Sequence, residues 1–71
     1  MVLTYQETAE LFNSDRVTVR GLVKAYDLEP KPVPRTSKGR GLDLNDLKVL
    51  AKALNRPAPT EIDMRRVASF V

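Results

Sequence analysis

Arg16, Arg20 and Lys24 recur every four residues. At about 100° per residue, such a row steps along one side of an α-helix. A helix carrying it can enter the major groove of DNA. Arginine there can make bidentate bonds to guanine O6 and N7, and lysine can reach phosphate. Val19, Leu22, Val23 and Tyr26 stand at i, i+3, i+4 and i+7 and predict the buried face of the same helix. Val17, Gly21 and Lys24 then lie on the opposite face, with Arg20 on its flank. Glycine inside a helix costs about 1 kcal/mol relative to alanine. At Gly21 the missing side chain either lets the helix lie close to DNA, is a tolerated surface feature, or gives room to a neighbouring element.

A second basic group follows. Arg35, Lys38 and Arg40 are interleaved with Thr36, Ser37 and two glycines. Basic and hydroxyl side chains with accessible backbone N–H groups suit a loop that tracks phosphates or the minor groove. A phosphate-loop reading of Lys38-Gly39-Arg40-Gly41 fails on spacing and on the missing Lys-Ser/Thr ending. From Ser14 to Arg40 there are seven basic residues against three acidic ones; the rest of the chain has five against six. The net charge of +3 is therefore concentrated in one stretch, which suits a polyanion.

Other chemistries find little support. The chain of 71 residues has no cysteine and no histidine, which removes thiolate metal sites and the commonest general base near neutral pH. Asp43 and Asp46 flank a helix start, where negative charge complements the helix dipole. Glu7 and Glu10 read as solvent-exposed. Tyr5, Tyr26, Phe12 and Phe70 are too scattered for a base-stacking platform. The chain is therefore expected not to be an enzyme, with no cofactor and no metal. Met1 to Leu11 has neither a basic start nor a long apolar run, and no stretch approaches the roughly 20 apolar residues of a membrane span. A soluble, intracellular protein with no membrane partner is expected.

The elements that position these residues can be read in turn. Thr4 and Glu7 match a capping box, Leu3 stands where a hydrophobic staple would, and Tyr5, Thr8, Ala9 and Phe12 form a short apolar stripe. Asn13 breaks this helix, since asparagine tolerates the left-handed conformation. Ser14 or Asp15 can cap the second helix. Pro30, Pro32 and Pro34 make an extended approach that cannot be a central strand. Ser37 to Gly41 is predicted as the tip of a hairpin, and Leu42-Asp43-Leu44 as its short returning strand. Asn45 can cap a third helix with Leu47, Leu50, Ala51 and Leu54 on its apolar face. Arg56-Pro57-Ala58-Pro59 stops it. Thr60 and Asp63 begin a fourth, in which Met64, Val67, Ala68 and Val71 share a face that could cover the third helix. The predicted fold is mainly α with a small β-hairpin, in the order helix, helix, hairpin, helix, helix. Residues 1–55 would form a winged helix-turn-helix domain, and 56–71 a linker and C-terminal helix packed on it or on a partner.

With the elements in place, a family resemblance emerges. Leu3-Thr4-Tyr5-Gln6-Glu7-Thr8-Ala9-Glu10-Leu11-Phe12 resembles the opening of excisionase and MerR-like winged-helix domains, "LTxxEAAxLL". Arg16-Val17-Thr18-Val19-Arg20-Gly21-Leu22-Val23-Lys24 resembles their recognition helix, "SxxTVxRLIK", and Leu42 to Leu47 their passage from wing to helix. The likeness spans roughly residues 2 to 54. Arg20 departs from it where many relatives have an aromatic residue, Asn13 where they usually have glycine, and the triple-proline approach is unusual. The resemblance implies double-stranded DNA as partner, with Arg16, Val17, Thr18, Arg20, Gly21 and Lys24 on the recognition helix. Arg35, Thr36, Ser37, Lys38 and Arg40 would act on the wing. The short stretch after the linker points to the excisionase branch over the transcription activators, which carry a long coiled coil there. Excisionases bind and bend attachment-site DNA, bind adjacent sites cooperatively, and bias a phage integrase toward excision, so an integrase and further copies of the chain are implied partners. A small phage or AlpA-like transcriptional regulator is the alternative within this class, and a protein–protein adaptor using the fourth helix is the alternative outside it.

Overall fold

A computed structural model describes residues 2–33 and 39–68. The elements run β1 (Val2–Thr4), α1 (Tyr5–Leu11), α2 (Arg16–Ala25), β2 (Lys31–Pro32), β3 (Arg40–Asp43), α3 (Leu44–Ala53) and α4 (Glu61–Ala68). The described residues are mainly helical, with one three-stranded antiparallel sheet in the order β1-β3-β2.

Local chemistry explains each helix boundary. At the start of α1 the Thr4 N–H donates to Glu7 Oε1 at 3.0 Å, and the Glu7 N–H donates to Thr4 Oγ1 at 3.1 Å. This is the anticipated capping box, but it draws Glu7 inward, so Glu7 is buried and only Glu10 of the pair is exposed. Asp15 rather than Ser14 caps α2 and accepts from the Thr18 N–H at 2.7 Å. Asp43 rather than Asn45 caps α3, with Asp46 closing its own capping box. Leu44 is thereby the first residue of that helix, not the end of a strand.

Three helices end in the same way. Asn13, Asp27 and Asn55 stand in the left-handed region at φ values of 53°, 53° and 56°. Behind each, the next residue's N–H returns to a carbonyl five residues back: Ser14 to Ala9, Leu28 to Val23, Arg56 to Ala51, at 2.8 to 2.9 Å. These are Schellman closures with asparagine or aspartate in the place glycine usually takes. Because Asp27 ends α2, Tyr26 falls past the last helical turn and is half exposed. It does not complete the apolar face that its i+7 spacing suggested.

The sheet corrects two further expectations. Leu3 is not simply a staple: it lies in β1, opposite Leu42 of β3, and both are fully buried. Gly41 and Arg40 belong to β3 rather than to a hairpin tip. Pro32, which has no N–H to give, is on the edge strand opposite Arg40. Gly41 faces Thr4 on one side and Lys31 on the other. A Cβ there would overlap the Leu3 carbonyl oxygen, and would lie 2.6 Å from its carbon and 3.0 Å from Val33 Cγ2.

The core joins Leu3 and Leu42 to Ala9, Phe12, Val19, Val23, Leu47 and Leu50. Met64 and Ala68 of α4 complete it, and α4 lies chiefly against α1 rather than on the third helix. Thr60 and Asp63 do cap α4, through N–H to Oδ2 at 3.0 Å. The linker is tied down as well: Pro59 is buried, and the Arg56 guanidinium donates to the Phe12 carbonyl at the end of α1. No helix among the described residues is long and apolar enough to cross a membrane.

Candidate nucleic-acid interface

The site is built on α2. Val19 and Val23 anchor one face of this helix in the core, at 0% and 6% exposure. Leu22 is partly buried beside them, and Arg16, Val17, Thr18, Arg20, Gly21 and Lys24 are all exposed. The two inward valines thus fix the rotation of the helix, and that rotation sets where every other side chain points. Val17 is 78% exposed, although it is apolar and β-branched. Among the described residues, no ion pair engages Arg16, Arg20 or Lys24.

Gly21 faces open space. A Cβ built on it meets no atom within 4 Å. Of its three readings, room for a neighbouring element is therefore removed. What remains is a tolerated surface glycine or a close approach by something outside the chain.

The N-terminus of α2 has its own electrostatics. The Thr18 backbone N–H, and then its side chain, hold the Asp15 carboxyl below its ordinary range. Asp15 is thus an anion at neutral pH, bound to the helix it caps.

The second basic group divides. Arg40 is exposed at the start of β3. Arg35, Thr36, Ser37 and Lys38 lie outside the described residues. Lys31, also a member of the basic stretch, is tied to partners within its own fold. Its Nζ donates to Asp46 Oδ2 at 2.7 Å and to the Glu29 carbonyl at 3.0 Å, and lies 3.6 Å from Asp43 Oδ2. The bond to Asp46 raises the lysine above its ordinary value. The Asp46 N–H, followed by the Lys31 charge, lowers the Asp43 carboxyl. This cluster was not anticipated. Its signal was two aspartates at i and i+3 on a helix start, facing a lysine on an adjacent extended segment. Among the described residues, the cations of the basic stretch that remain outside ion pairs are Arg16, Arg20 and Lys24 of α2 and Arg40 of β3.

A groove of about 480 Å³ lies elsewhere, between the end of α1, the linker and α4. Glu10 and Asp63 face Arg56 and Arg66 around its apolar floor, a mixture of charges that singles out no ligand class. No family model, curated protein or solved structure matches the chain.

Proposed function

We propose that the chain is a sequence-specific double-stranded DNA-binding protein of winged helix-turn-helix design. In this reading α1 and α2 form the helix-turn-helix, α2 enters the major groove, and β2, β3 and their connection form the wing. Within that class we propose an excisionase, which binds and bends attachment-site DNA to promote excision by an integrase.

The observation that carries the reading is the outward face of α2. Arg16, Arg20 and Lys24 are exposed together on a helix whose other face is locked in the core. Long cations held outward on a rigid element suit a polyanion of regular shape. The three-stranded sheet supports the wing assignment, because β3 is central, pairs with β2 and carries Arg40 exposed at its start. Against the adaptor alternative, Met64 and Ala68 of α4 are buried in the chain's own core, although Ile62 of that helix is exposed.

Titration of duplex DNA at increasing salt tests the reading. If four to six cations meet phosphate, the slope of log K against log salt is about −4 to −5. A slope near zero overturns it. Excision is tested separately, with a cognate integrase and its attachment DNA. Specific binding with no effect on excision moves the protein to the transcriptional-regulator alternative.

A further inference from the structure

We infer that Val17 is a specificity-determining residue that reads the C5-methyl group of a thymine in the major groove. The inference rests on the reading of α2 as the groove-entering helix and names what that helix recognises.

Val17 is the second residue of α2, directly after Arg16 and two positions from the Asp15 cap. A recognition helix contacts base edges mainly through its N-terminal residues. Val17 is 78% exposed and unburied by any element of the chain. As a β-branched residue it has no advantage for helix formation over the polar residues that usually occupy such positions. Its surroundings give the exposure a purpose. At 3.6 residues per turn, Val17, Gly21 and Lys24 fall within an arc of about 60°, with Arg20 about 60° to one side. The isopropyl group is therefore a bulky apolar projection at the edge of the row formed by Arg16, Arg20 and Lys24.

Gly21 is one turn further along, about 6 Å on, and among the described residues open space lies where its Cβ would stand. Without a side chain there, the first turn of α2 can approach a base edge at the distance a methyl–methyl contact needs. Arg20 and Lys24 extend past the gap toward guanine edges and phosphates. In the major groove the only apolar feature of the base edges is the thymine C5-methyl. An apolar side chain beside groove-directed cations thus has one chemical partner there, an A·T pair with its thymine facing Val17.

The test begins with selection of a bound site from a random-sequence duplex pool by the full chain. Each thymine of that site is then replaced singly by deoxyuridine, which lacks only the methyl group. Wild type and Val17→Ala are titrated on every duplex. Val17 is a surface position, so Val17→Ala folds. The expected result is that one or two replacements weaken wild type about fourfold, the value of one buried methyl. Val17→Ala binds the thymine site about as weakly as wild type binds the uracil site, and does not distinguish the two. A selected site at which wild type ignores every replacement overturns the inference and leaves the DNA reading intact. So does sensitivity to uracil that survives in Val17→Ala. Failure to bind any duplex overturns both.

Discussion

The sheet and the outer face of α2 draw on the same residue types and use them in opposite ways. Each has a glycine. Gly41 is enclosed, with the Leu3 backbone where its side chain would be, whereas Gly21 has nothing within 4 Å of a Cβ. Each has long cations. Lys31 is held by Asp46, Asp43 and a backbone carbonyl, whereas Arg20 and Lys24 extend from an exposed helix face with no ion pair among the described residues. Composition alone does not separate the two regions. The difference lies in whether the fold itself supplies the partner. A glycine and a cation that the chain satisfies internally hold the structure together. The same pair left facing outward is available to a ligand.

Gly41→Ala is the strongest way to test the structural half of this contrast. The new methyl overlaps main chain, which cannot rotate aside as a side chain can, so β1 must leave β3. Overpacking of this kind costs about 3 kcal/mol or more, which for a domain of this size lowers the thermal midpoint by more than about 10 °C. A midpoint within 2 or 3 degrees of wild type, on the same scale, shows that β1 is not held against Gly41 as described.

Arg20→Ala tests the other half. It should leave the thermal midpoint nearly unchanged, because the side chain is exposed and has no ion pair among the described residues. Binding to the selected site should weaken by about 1–3 kcal/mol, with relaxed preference at one or two base pairs. An equal loss on all sequences reassigns Arg20 from base edges to phosphate.

The Lys31 cluster predicts pH dependence with a definite sign. Asp43 is lowered in the folded state, so its contribution is present above the ordinary carboxylate value of about 3.9 and lost as pH falls through the folded value. Lys31 is raised, so its contribution is present below about 10.4 and lost as pH rises through the folded value. Thermal midpoints should be level between these limits and fall on both sides. Lys31→Met should abolish the difference on the alkaline side while DNA binding at neutral pH is retained. Alkaline curves that stay parallel in the two proteins remove Lys31 from the account. Asp43→Ala, which removes a helix cap, should cost about 1 kcal/mol.

Much of this contrast was legible in the residues, and the rest was hidden for identifiable reasons. Helix faces and caps that depend on neighbours three or four positions apart read directly: Thr4 with Glu7, Asn13 in the left-handed region, Val19 with Val23. So did the exposure of Arg16, Arg20 and Lys24, which follows once the inward face is fixed. Long-range partners did not read. β1 is only 3 residues long, too short for an alternating pattern, and its partner β3 is distant in the chain. Lys31 and Asp46 are separated by 15 positions, so Lys31 looked like one more cation in a basic run. Asn45 is as good a cap as Asp43 by residue type, and only the end of β3 decides between them. Tyr26 followed the apolar spacing one residue past Ala25, where α2 ends ahead of the turn at Asp27.

Gly21→Ala carries the smallest effect and separates fold from function at a single atom. Alanine is about 0.5–1 kcal/mol better than glycine within a helix. Nothing among the described residues obstructs the added methyl. The thermal midpoint should therefore rise, by a few degrees. A glycine kept for no reason would make this substitution an improvement in stability with no loss elsewhere. If α2 lies against a base edge at this turn, the methyl occupies the space the DNA needs. Affinity for the selected site should then fall while the protein becomes more stable. The opposed signs matter more than either magnitude, because a general disturbance of the helix would lower both. A more stable protein with unchanged affinity would show that α2 does not approach DNA at Gly21, and would return the glycine to an ordinary surface position.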